Sequence, residues 1–78
     1  MPSTAIRRYA YRPDAATLDV EFVGGRTYRY HAVPEPVARG LAGARSKGGY
    51  FNRYLRDRYA FEHLRGGWEA PDEEADPA

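Results

Sequence analysis

The sequence predicts an α+β domain: a three-stranded antiparallel sheet, a β-meander, followed by two α-helices packed on one of its faces. Two observations carry the prediction. Three short segments before residue 32 alternate with the period of strands, and two segments after residue 34 carry apolar residues at helical spacing. A chain of 78 residues allows one domain, and a fold of this size hides only about 60% of the surface its unfolded chain exposes, so the core is small.

The first strand runs from about Ala5 to Tyr11 by its Ile and Tyr content and is closed by the Pro13-Asp14 turn signal. Ile6 shares a face with Tyr9 or Tyr11 only if the strand contains a bulge. In the second strand Leu18, Val20 and Phe22 line one side and Asp19 and Glu21 the other. Gly24-Gly25 supplies the turn into Thr27-Tyr28-Arg29-Tyr30-His31, making a hairpin. A two-residue loop at Gly24-Gly25 drives Arg29 into the apolar face. A three-residue loop, Gly24 to Arg26, pairs Phe22 with Tyr28, Val20 with Tyr30 and Leu18 with Ala32. The other face then sets Glu21 against Arg29 and Asp19 against His31, favourable pairs that a one-residue slip would destroy. This register assigns the rings of Tyr28 and Tyr30 to the core, with hydroxyls at the rim, against the alternative of a base-stacking platform.

Pro34-Glu35-Pro36 opens the first helix, in which Val37, Leu41 and Ala44 share a face. Gly40 and Gly43 each weaken it by about 1 kcal/mol relative to Ala, so it depends on tertiary contacts close enough to use the missing side chains. Ser46 caps a second helix with an apolar stripe of Phe51, Tyr54, Leu55 and Tyr59 and an outer face of Asn52, Arg53 and Arg56. Phe61, Leu64 and Trp68 form a closing segment that packs back on the sheet. The domain thus spans residues 1–68, and residues 69–78 form a disordered acidic tail.

That tail conceals the charge of the body. The formal net charge is +1, but Glu69, Asp72, Glu73, Glu74 and Asp76 crowd the last ten residues, leaving residues 1–68 at +6. Eleven of the twelve basic residues are arginine, the exception being Lys47. A basic body points to a polyanionic partner, and the tail is expected to compete with that partner for the same surface. Other classes fall away. No apolar run approaches the ~18 residues of a membrane span, and Met1 to Tyr11 lacks the apolar stretch of a secretory leader, so the expected location is cytoplasmic. With no cysteine there is no disulfide, thiolate zinc site or Cys nucleophile. The histidines, His31 and His63, have no ligand-spaced neighbours, and no nucleophile, base and orienter assemble, so the chain reads as a non-enzyme without metal or cofactor.

Ser46-Lys47-Gly48-Gly49 stands where the second helix begins, so backbone N–H groups converge there beside the only lysine, and the glycines allow an anion close approach. The turn reads equally well as an N-cap and a tight interhelical connection. Arg53 and Arg56 extend a positive site along the helix's outer face.

Tyr28-x-Tyr30, then Val33-Pro34, then Ala44-x-Ser46-Lys47-Gly48-x-Tyr50-Phe51-Asn52 and a following Tyr59 together resemble the KTSC domain, a short module named for its occurrence at the C-terminus of some lysyl-tRNA synthetases and found also as small bacterial and phage proteins. The resemblance covers about Ala5 to Phe61; Arg12 departs from it, standing where the family often has an acid. For function the resemblance implies RNA binding, as suggested by the synthetase association.

The expected function is therefore binding of nucleic acid, either RNA or single strands, with RNA preferred to DNA. Ser46, Lys47, Gly48, Gly49, Asn52, Arg53, Arg56 and Arg29 are the expected contacts, and Tyr50 the stacking ring. A protein-interaction module docking through an exposed strand edge and a binder of a small phosphorylated ligand are the competing readings.

Overall fold

The computed structural model describes residues 5–68; the acidic stretch 69–78, expected to be disordered, lies outside them. The elements are β1 (Ile6–Arg12), β2 (Thr17–Phe22), β3 (Thr27–Tyr30), α1 (Glu35–Gly43), α2 (Lys47–Tyr54) and β4 (Phe61–His63). The sheet is antiparallel in the order β1-β2-β3-β4. The fold is thus α+β as expected, with the closing segment contributing a short fourth strand.

The bulge required by the β1 pattern is present. Ile6 pairs with Phe22 but Arg8 pairs with Glu21, so Arg7 is the extra residue. That single insertion lets Ile6, Tyr9 and Tyr11 all pack against the core.

The β2–β3 hairpin differs from expectation in a specific way. Leu18 pairs with Tyr30, Val20 with Tyr28 and Asp19 with Arg29, two residues away from the predicted pairing of Val20 with Tyr30 and Asp19 with His31. The loop does hold three residues, but they are Val23, Gly24 and Gly25: Gly25 N–H donates to Phe22 O, and Phe22 N–H to Arg26 O. Gly25 has φ 102°, and a three-residue hairpin loop needs its left-handed residue in third place, where the predicted loop would have put Arg26. A shift of two preserves parity, so every side chain keeps its predicted face. Ala32, expected opposite Leu18, lies beyond the strand at φ 57° and turns the chain toward α1.

Leu18, Val20, Tyr30, Val33, Leu41, Phe51 and Leu55 form the buried cluster between sheet and helices. In α1 the buried positions are Ala38 and Leu41, with Val37 packed against the cluster and Ala44 serving as C-cap. Gly40 faces Tyr50 so closely that a Cβ there would meet the Tyr50 hydroxyl; the same hydroxyl donates to Val37 O at 3.0 Å. Gly43, by contrast, has open space around it. In α2 the stripe is Phe51 with Leu55 at the C-cap. Tyr54, expected in that stripe, is 46% exposed and rests instead on Tyr50, with ring centroids 4.7 Å apart. The helix stops at Tyr54, and Asp57 at φ 65° redirects the chain toward β4.

No helix among the described residues is long and apolar enough to cross a membrane.

Candidate functional site

The sheet face opposite the helices carries charge in an ordered pattern. Asp19 is fully buried and accepts from Arg29 through Nε and Nη2 at 2.8 and 3.0 Å and from Arg12 Nη1 at 2.9 Å. Burial alone would raise its pKa; hydrogen bonds from Arg29 and Arg12 and their two charges outweigh it and hold the carboxyl below its ordinary 3.8. Arg8 pairs with Glu21, and the Trp68 indole lies under the Arg8 guanidinium at 4.8 Å. Leu64 N–H bonds Thr27 O, and from there the chain crosses this face to bring Trp68 to β1. His31 Nε2 lies 3.1 Å from Glu62 Oε2. Arg29, expected among the phosphate contacts, is therefore engaged in a bidentate grip on Asp19.

The Ser46 turn is also internally satisfied. Ser46 Oγ accepts from Gly49 N–H at 3.1 Å, and Ser46 O accepts from Tyr50 N–H at 3.0 Å, so N–H groups expected to meet an anion are already engaged within the turn. Lys47 Nζ turns back onto the end of α1, donating to Ala42 O at 3.3 Å and Ala44 O at 3.2 Å. It satisfies carbonyls that α1 leaves free and complements the negative end of its dipole. Tyr50, expected to stack on a base, joins the two helices through its bond to Val37. Its hydroxyl pKa is raised by desolvation and by neighbouring Tyr54 and Tyr59.

At the other end of α2 the picture changes. Asn52, Arg53, Arg56, Asp57, Arg58 and Tyr59 line an open concavity of about 530 Å³. Arg53, Arg56 and Arg58 are exposed, and none of them joins an ion pair among the described residues. Arg56 Nη1 reaches Asn52 Oδ1 at 3.3 Å, which orients the guanidinium without neutralising it. Arg53 and Arg56 were expected on one helical face, but α2 ends at Tyr54, so Arg56 follows the helix together with Arg58 and Tyr59, in the turn that holds the left-handed Asp57.

Of the two β3 tyrosines, Tyr30 is the one that feels the charges of Arg56 and Asp57 on the concavity. Tyr30 is 5% exposed and Tyr28 half-buried. The Tyr30 hydroxyl is pushed up to about 12, chiefly by desolvation and by Tyr28, against the opposing pull of Arg56, while Asp57 raises it further. The concavity is thus within electrostatic reach of the sheet. Among the described residues no group of three or more His, Cys, Asp or Glu is placed to hold a metal.

A family model described as the KTSC domain matches residues 2–59. A lysine–tRNA ligase of Nostoc punctiforme is 36% identical over 61 residues, which is 78% of this chain; the chain spans 11% of that ligase's length. An uncharacterized protein of Stutzerimonas stutzeri is 37% identical over 59 residues, covering 76% of this chain and 83% of the relative. The crystal structure of a KTSC domain protein from Yersinia pestis aligns with a TM-score of 0.75 and 28% identity over 82% of this chain and 90% of that one.

Proposed function

This chain belongs to the KTSC domain family, and on that premise we propose that it is a non-enzymatic module that binds nucleic acid, RNA in preference to DNA, through the arginine concavity at the end of α2. The observation that carries the reading is the contrast in pairing. Arg8, Arg12 and Arg29 are spent on carboxylates, whereas Arg53, Arg56 and Arg58 converge on one open rim. Guanidinium groups there can meet phosphates bidentately without first breaking an internal ion pair. Asn52 and Tyr59 add a polar group and a ring to the same surface. The similarity to a segment of enzymes named lysine–tRNA ligases supports RNA as the polyanion. Lys47 and the Ser46 to Gly49 turn contribute positive potential from the far end of α2 rather than direct grips.

The test is anisotropy of a labelled RNA titrated at several salt concentrations. The parent is expected to lose affinity along a straight log–log line. Arg53→Glu with Arg56→Glu is expected to reduce affinity by about tenfold or more and to flatten the slope, since two phosphate contacts are lost. Thermal melts should coincide, because both side chains are exposed. A double variant that binds as the parent does, with an unchanged slope, would refute the arginine site.

A further inference from the structure

The edge strand β4 presents two rings that the arginine site does not use. Residues i and i+2 of a strand share a face about 7 Å apart, and Phe61 and His63 stand together on the face that bears Tyr28 and Tyr30. Neither is covered there: Phe61 is 53% exposed, and His63 is exposed as well. Each rests on a tyrosine of β3, Phe61 on Tyr30 with centroids 5.3 Å apart and planes at 32°, His63 on Tyr28 at 5.0 Å and 34°. Tyr28 also meets Phe61 edge-on at 5.6 Å. The outer rings are therefore braced before any ligand arrives, and a flat partner landing on them immobilises little.

Charge identifies the partner. Glu62, between the two rings, alternates to the opposite face, where it pairs with His31, so it places no carboxylate between the rings. Exposed arginines bracket the strand, Arg58 before it and Arg65 after it. Tyr59 on the rim of the concavity is two residues from Phe61, no more than about 7 Å along the backbone. A ligand that joins flat aromatic groups to a row of negative charges fits this juxtaposition.

We propose that Phe61 and His63 are a stacking ledge for two unpaired bases of a single strand whose phosphates follow Arg53, Arg56 and Arg58. A duplex does not fit, because its base faces are buried in the stack. The proposal rests on the nucleic-acid reading above, and its test separates the two. Binding of an unstructured RNA of about 12 nucleotides is compared with binding of the same sequence as a duplex, for the parent, Phe61→Ala, His63→Ala, the double variant and Phe61→Trp. The parent is expected to prefer the single strand. Each alanine variant is expected to weaken it by about tenfold with the salt slope unchanged, since no phosphate contact is removed, while Phe61→Trp retains binding. Melting temperatures check that the exposed positions leave the fold intact. If the double variant matches a parent that binds with a normal salt slope, the ledge is refuted and the arginine site stands. A parent that binds no RNA at low salt overturns both.

Discussion

The arginines of the sheet and the arginines at the end of α2 have the same chemistry and opposite situations. On the sheet, Arg12 and Arg29 close around a carboxylate removed from water, and Arg8 lies between Glu21 and the Trp68 ring. Around the concavity, three guanidinium groups share a rim where the one acid is Asp57. A body charge of +6 is therefore not a uniformly basic surface. The positions of a few carboxylates divide it into a part that holds the sheet together and a part available to a partner.

The largest expected effect is on the sheet. Asp19→Ala leaves two guanidinium groups facing each other over a void and is expected to cost ~3 kcal/mol, as for breaking a buried ion pair, read by urea denaturation at neutral pH. The acid dependence has a definite sign. Because the folded pKa of Asp19 lies below 3.8, its contribution is present above the unfolded value and is lost as pH falls through the folded one. The parent should therefore lose stability below about pH 4, and Asp19→Ala should show a shallower acid limb. Parallel limbs would mean that the triad does not set the acid stability.

A matched pair sharpens the contrast further. Arg29→Ala is expected to lower stability by ~1–2 kcal/mol while leaving RNA affinity within about twofold, since Arg29 is committed to Asp19. Arg56→Ala is expected to do the reverse, with stability within ~0.5 kcal/mol of the parent and affinity down by about fivefold at low salt. Equal losses of affinity from the two variants would erase the distinction between the two sets. The smallest effect belongs to Lys47. Removing its ammonium from the carbonyls of Ala42 and Ala44 should cost ~1 kcal/mol, visible as a lower melting temperature, with the RNA salt slope unchanged. A thermally silent Lys47→Ala whose salt slope falls by about one contact would return the lysine to the phosphate site.

Most of the fold could be read from local pattern. Period-two alternation placed Leu18 and Val20 inside, and the parity of Ile6 against Tyr9 demanded the bulge now seen at Arg7. Ser46 was recognisable as a cap because capping chemistry is local, and its bond to Gly49 confirms it. Gly25 could have fixed the hairpin register as well, since the left-handed place in a three-residue loop calls for glycine; pairing the side chains without placing that residue led to a register two residues off. The fourth strand was harder, because a segment of three residues carries too little periodicity to separate from a loop.

The candidate site depended far more on tertiary structure. Composition and charge by themselves determined that the chain is rich in arginine, that its acids gather at the tail, and that thiol chemistry is absent. They did not determine which arginines are engaged. Arg29 and Arg56 look alike in the sequence, and so do Lys47 and Arg53, about 1.7 turns apart on the same helix. Their roles separated only when strand pairing put Asp19 beside Arg29 and the interhelical turn carried the Lys47 ammonium to the end of α1. The same holds for Phe61 and His63, whose exposure follows from their place at the sheet's edge. Secondary structure is set by neighbours a few residues away, so the sequence displays it. Ion pairing is decided by groups that folding brings within about 3 Å from distant points of the chain, and no local pattern records those distances.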